Sequence, residues 1–123
     1  MSININNLNE VNKVLKSYPK SKLLIVTKNR SLGIVQELIK MGYYSFGENR
    51  VQEAHEKFKN IQNSQLNLEL IGPLQTNKVS LALKIFHAIQ SIDRIKLVDE
   101  ICKNISNKPH KTKNFYLQVN IGD

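Results

Sequence analysis

The sequence predicts an α/β domain built on a parallel sheet, and three observations carry that prediction. Apolar, strand-like runs recur at 23–27, 43–46, 68–71, 88–92 and 115–121. Helical patterns fill the intervals between them. Successive runs begin about 20 to 28 residues apart, which is room for a strand, a crossover helix and two short loops. Strands that alternate with helices in this way pair in parallel.

Each element has its own local reason. Residues 3–17 read as a leading helix, with Leu8, Val11, Val14 and Leu15 on one face, and Tyr18-Pro19 ends it. The first strand, 23–27, is followed by a helix over 31–41 that gathers Ile34, Val35, Leu38 and Ile39 on one side. Ser31 stands where an N-cap belongs, and Gly42 where a left-handed C-cap belongs. Further helices are predicted over 50–59, 77–86 and 94–105. In the last of these Cys102 joins Val98, Ile101 and Ile105 in an amphipathic pattern and reads as buried filler. Being the only cysteine, it has no internal disulfide partner.

The bulk properties narrow the function classes. A chain of 123 residues is one domain or part of one. Its 41% apolar and 23% charged content are those of a globular protein. The net charge of +8 invites a nucleic-acid reading, but the cations are spread over nearly the whole length. Their one local concentration is Lys103, Lys108, Lys111 and Lys113, around a loop, and no basic–aromatic interleaving accompanies it. No specific nucleic-acid partner is expected. No apolar run approaches the roughly 18 residues of a membrane span, and the N-terminus lacks the pattern of a signal peptide, so a cytoplasmic protein is expected.

Five strands in about 120 residues fit a flavodoxin-like, doubly wound domain, and they fit equally the first half of a barrel with eight strands. In both, ligands meet the C-terminal ends of the strands. Those ends read Thr27-Lys28-Asn29, Gly47-Glu48-Asn49, Gly72-Pro73-Leu74-Gln75, Ser91-Ile92-Asp93-Arg94 and Asn120-Ile121-Gly122-Asp123. A phosphoacceptor receiver would want carboxylates where the first end carries Lys28. That lysine has two readings. Either its amine is solvated, or it is partly desolvated in a pocket mouth, where burial lowers its pKa and leaves a neutral amine able to attack an aldehyde.

Other chemistries find little support. Neither a Walker-type nor a dinucleotide-binding glycine fingerprint occurs. His55, His87 and His110 have no metal-ligand spacing with one another or with Cys102. Glu48 and Asp93 could pair as acid and base, but each lies beside a potential cation and a helix start.

Taken together, 23-LLIVTKN-29, 46-FGENRVQEA-54, 71-IGPLQTNK-78 and 91-SIDR-94 resemble the pyridoxal phosphate homeostasis protein family. These are alanine-racemase-like (β/α)8 TIM-barrel proteins that bind pyridoxal 5'-phosphate (PLP), and the resemblance runs from Leu23 to Asp123. It implies that Lys28 holds PLP covalently as an imine. It places Asn49 in the lining of the cofactor pocket, and Ile71 and Gly72 at the third strand end near the pyridine ring. Gln75, Asn77 and Lys78 become rim or helix-capping residues, with Lys78 a rival reactive amine.

The implied function is PLP binding and vitamin B6 homeostasis without a reaction of its own, with PLP-dependent apo-enzymes as candidate recipients. A PLP-dependent racemase or lyase fragment is the alternative, and a basic RNA-associated adaptor ranks behind it. Two departures stand out. Leu68-Glu69-Leu70 occupies a stretch where family members commonly carry Trp-His-Phe or Trp-His-Leu. The chain also has about half the family's strands. The expectation is therefore one partial barrel domain over 1–123, with a leading helix in 1–20 and β/α units in 21–123. It is the N-terminal half of a longer product, a half completed by homo-oligomerisation, or a decayed relative.

Overall fold

The computed structural model describes residues 2–122, so Asp123 of the last predicted strand end lies outside the described residues. A leading helix α1 (Ile5–Leu15) is followed by β1 (Ile25–Val26), α2 (Leu32–Lys40), β2 (Ser45–Glu48), α3 (Val51–Phe58) and β3 (Asn67–Leu70). A 3-10 turn (Thr76–Lys78) then leads into α4 (Val79–Ile85), β4 (Ala88–Ile92), α5 (Ile95–Asn107) and β5 (Asn114–Leu117). The strands form one sheet in the order β1-β2-β3-β4-β5, and all four neighbouring pairs are parallel.

This order decides between the two architectures. A doubly wound sheet reverses its strand order at a switch point and carries helices on both faces. Here each strand is added beside the last in one direction. Because β–crossover–β units are right-handed, every crossover helix then falls on the same face, which is the winding of a barrel wall.

The helix-covered face holds the core. Phe46 of β2 packs on Phe58 of α3 with ring centroids 5.8 Å apart, and Leu68, Leu70, Val79, Phe86 and Ile89 are fully or almost fully buried around them. The edges are different. Val26 of β1 is 47% exposed, and every residue of β5 is exposed, Leu117 at 74%. Beyond β5, Val119 and Ile121 are exposed too.

Local signals worked where the backbone alone decides. The Ser31 hydroxyl accepts from the Ile34 N–H at 3.3 Å, as an N-cap should. Gly42, at φ +93°, ends α2: its own N–H donates to the Ile39 carbonyl and that of Tyr43 to the Leu38 carbonyl. These are the paired bonds of a Schellman cap.

Element limits shifted where packing decides. β5 closes at Leu117 rather than continuing to Ile121, and a 3-10 turn precedes α4. Cys102 is exposed, contrary to its expected burial. The buried stripe of α5 is centred on Leu97 and Ile101, and Val98, four residues before Cys102, is itself only half-buried at its flank.

Candidate functional site

The predicted site residues gather at the C-terminal ends of the first three strands. Ile25 pairs with Phe46 and Val26 with Gly47, and the ladder continues through the Thr27 N–H to the Gly47 carbonyl at 3.0 Å. Glu48 pairs with Leu70, and the Ile71 N–H donates to the Glu48 carbonyl at 2.9 Å. Carried one step further, this register sets Asn49 level with Ile71, while Lys28 lies in the turn just past the last bonded residue of the neighbouring strand exit. It also brings Gln90 of β4 into the same row, a residue the sequence did not single out.

Gly72 belongs to this group for a steric reason. A Cβ there would stand 2.8 Å from Asn49 Cα and closer still to the Asn49 carbonyl oxygen. Only glycine lets the β2–α3 connection cross the end of β3 at that distance. Gly47 plays a milder part on the open face, where a Cβ would come within 3.2 Å of Leu24 Cδ2 and 3.3 Å of Ile71 Cδ1.

Lys28 occupies a corner of the turn Thr27–Arg30, closed by the Arg30 N–H donating to the Thr27 carbonyl at 3.0 Å. The third residue of that turn, Asn29, has φ +58°, a left-handed conformation that asparagine tolerates better than most residues. The Lys28 side chain is exposed, and among the described residues its amine makes no hydrogen bond or ion pair. Of the two readings of this lysine, the described residues thus present the solvated one. They do not dry it.

Behind the turn, on the helix side of the sheet, lies a group that sequence reasoning missed. Lys57 of α3 is almost fully buried, with Nζ 2.6 Å from Glu48 Oε1, 3.2 Å from Glu53 Oε1 and 2.7 Å from the Thr27 carbonyl oxygen, to which it donates. Glu53 Oε1 in turn accepts the Asn29 N–H at 2.7 Å. Burial pushes the Glu48 carboxyl above its ordinary 4.5 despite the ammonium beside it. Burial also acts upward on Glu53, but the Asn29 N–H and Lys57 outweigh it and hold that carboxyl below 4.5. The i,i+4 spacing of Glu53 and Lys57 was the available signal, and by itself that spacing is common on any helix surface.

The other carboxylate candidates disperse. Glu48 faces α3, while Asp93 is exposed and paired with Arg94 at 2.8 Å, so the two form no acid–base couple. Glu69 lies on the face away from the helices, where it accepts from Gln90 Nε2 at 2.7 Å and Asn67 Nδ2 at 2.8 Å. Its carboxylate is thus tied into a polar network along the strands. Lys78 and Arg50 line a cleft of about 550 Å³ that adjoins Asn49 and includes Gln52 and Gln75 in its wall. A second, largely apolar hollow of about 370 Å³ lies between α1 and β1. Among the described residues no cluster of His, Cys, Asp or Glu could hold a metal, and no helix is long and apolar enough to cross a membrane.

The fold and this row of strand exits define a class, the first five strands of a barrel with ligand-facing strand ends. Comparison with known proteins makes it particular. The chain is 37% identical over 105 residues to the pyridoxal phosphate homeostasis protein of Haemophilus influenzae, a match covering 83% of this chain and 44% of that protein. The Aquifex aeolicus protein of the same name is 35% identical over 102 residues, with the same coverage. Among solved structures, PipY of Synechococcus elongatus without PLP superposes with a TM-score of 0.75 at 31% identity, over 85% of this chain and 50% of that one. The same protein with PLP bound superposes with a TM-score of 0.63 at 29% identity, over 77% of this chain and 47% of that one. No family model matches. The chain belongs with the pyridoxal phosphate homeostasis proteins, fits their N-terminal half, and spans about half the length of the relatives it matches.

Proposed function

We propose that this chain binds pyridoxal 5'-phosphate and takes part in vitamin B6 homeostasis without catalysing a reaction, the cofactor being held as an imine on Lys28. The observation that carries the reading is the position of that amine. It is unpaired and exposed on the turn that leaves β1, the strand paired with β2, whose own exit carries Asn49 and its close approach to Gly72. The names of the relatives and the PLP-bound PipY structure support the choice of cofactor.

The residues present fit the group at its aldehyde end. An accessible primary amine can reach an aldehyde, its neutral form being the one that attacks, and bound PLP would supply an electron-poor carbonyl and ring. Lys28 would anchor the cofactor, Asn49 would line its pocket, Ile71 and Gly72 would stand near its ring, and Gly72 keeps the β2–α3 connection tight against the strand end. Lys57, by contrast, is saturated with partners and has no free amine to offer.

The racemase alternative needs an acid or base on each face of the bound substrate. The Tyr43 hydroxyl is engaged by Asn12 Nδ2 of α1 at 2.6 Å, at the start of β2 and away from Lys28. It is no second base. Residues 1–123 are proposed as one partial barrel domain in a cytoplasmic protein, and PLP-dependent apo-enzymes as recipients of the cofactor.

The test is spectroscopic. Mixing the purified chain with PLP is expected to raise an absorbance band near about 420 nm, that of a protonated imine, and Lys28→Ala is expected to abolish it. Retention of the band in the alanine variant places the anchor elsewhere, with Lys78 the first candidate. Turnover of D- or L-alanine would restore the enzyme reading, and tight, salt-dependent RNA binding without a band would favour the adaptor.

A further inference from the structure

The two peptide groups that flank Lys28 are both held from α3. The carbonyl of Thr27, immediately before Lys28, accepts from Lys57 Nζ at 2.7 Å. The N–H of Asn29, immediately after it, donates to Glu53 Oε1 at 2.7 Å. The two gripping side chains are themselves joined at 3.2 Å, and Lys57 is locked from the sheet by Glu48, fully buried, at 2.6 Å. The Thr27–Arg30 turn also carries a left-handed residue at Asn29, a conformation open to asparagine, and the Glu53 carboxylate holds the N–H of that same residue.

We infer that Glu53 and Lys57 are positioning residues for the Lys28 anchor: they grip the peptide on either side of it and fix the direction in which its side chain leaves the sheet. The inference rests on the reading of Lys28 as the PLP anchor. Neither residue needs to touch the cofactor. Their role follows from the side of the sheet they occupy, since a side chain on the helix face reaches the Lys28 turn only through its backbone. A lysine has a long flexible stem, so its amine meets an aldehyde at a useful rate only if the root of that stem is fixed.

Glu53 is the member to test, because Lys57 cannot be removed without leaving Glu48 buried and unpaired. The full chain is mixed rapidly with PLP and the growth of the imine band is followed for the native protein, Glu53→Ala, Glu53→Gln and Ile101→Val. Ile101 is a buried residue of α5, and its truncation to valine serves as a matched loss of stability outside the site. Glu53→Ala is expected to slow imine formation about tenfold or more, as displaced reacting groups do. Ile101→Val is expected to form the imine at the native rate. Glu53→Gln keeps a side-chain oxygen that can accept the Asn29 N–H, and it is expected to recover most of the lost rate. Far-ultraviolet circular dichroism and the Tm of each variant fix the folded fraction at the temperature of mixing.

A native rate in Glu53→Ala, or an equal slowing in Ile101→Val, overturns the inference while leaving Lys28 as anchor. No recovery in Glu53→Gln overturns it as well, because the grip on Asn29 would then be irrelevant. A native chain that forms no band, or a Lys28→Ala variant that keeps it, removes the anchor reading and the positioning role with it.

Discussion

Lys28 and Lys57 meet the same strand exit, one exposed and one buried, and show what surroundings make of one side chain. Lys57 enters from α3 into the helix-covered side, where Glu48, Glu53 and the Thr27 carbonyl take up its donors. Lys28 stands on the turn, exposed, and among the described residues its amine bonds to nothing. A buried ammonium persists only when its charge and its protons are matched, so Lys57 is spent on structure. An accessible amine owes nothing to the fold and remains free for chemistry.

The contrast breaks most violently at Lys57. Lys57→Met is expected to lower the unfolding free energy by about 3–5 kcal/mol, because it strands the Glu48 carboxylate in the interior. Urea denaturation measures this, and a loss under about 1 kcal/mol would mean that Glu48 is relieved by water or by neutralisation.

Next in size is Gly72→Ala. The added Cβ must displace the Asn49 backbone, at a cost of roughly 1–3 kcal/mol. The same variant should weaken PLP binding, measured by the imine band at graded PLP concentrations. Native-like stability and binding together would show that the β2–α3 connection yields freely.

A gentler probe is acid. Glu53 titrates below its ordinary 4.5 in the folded chain, so it contributes stability above pH 4.5 that is lost as pH falls through its folded pKa. Glu48 titrates above 4.5, and its contribution has the opposite sign: the cost of its buried charge is relieved as pH falls through its raised pKa. Glu53→Gln is therefore expected to lose less stability on acidification below pH 4.5 than the native chain, as read from urea midpoints across that range. A steeper loss in the variant would show that Glu53 carries no favourable charge interaction there.

The smallest effect belongs to Lys28 itself. Lys28→Ala should stay within about 0.5 kcal/mol of native stability while losing the imine band, which separates the anchor from the scaffold. A large loss of stability would mean that Lys28 is structural after all.

Much of the fold was legible in the residues. Alternating apolar runs and amphipathic stretches carry their own period, and Ser31 and Gly42 act on the backbone within three or four residues. The set of Lys28, Asn49, Ile71 and Gly72 was legible through the motifs that resemble the family, since those motifs sit at strand exits. The Glu48–Lys57–Glu53 group was not. Glu53 and Lys57 look like any i,i+4 pair on a helix, and only the packing of α3 against β2 turns Lys57 inward to meet Glu48 and the Thr27 carbonyl. Cys102 failed for a related reason. The helical period gives the width of a buried stripe, but the neighbours of α5 decide where its edge falls.

By itself the sequence determined the class, an alternation of strands and helices with a lysine at the first strand exit, because periodicity and caps are local properties of the chain. Strand order, the single helix-covered face and the burial of one lysine beside the exposure of another were decided only in three dimensions. They depend on which elements meet, and contacts between residues far apart in sequence leave no period to read.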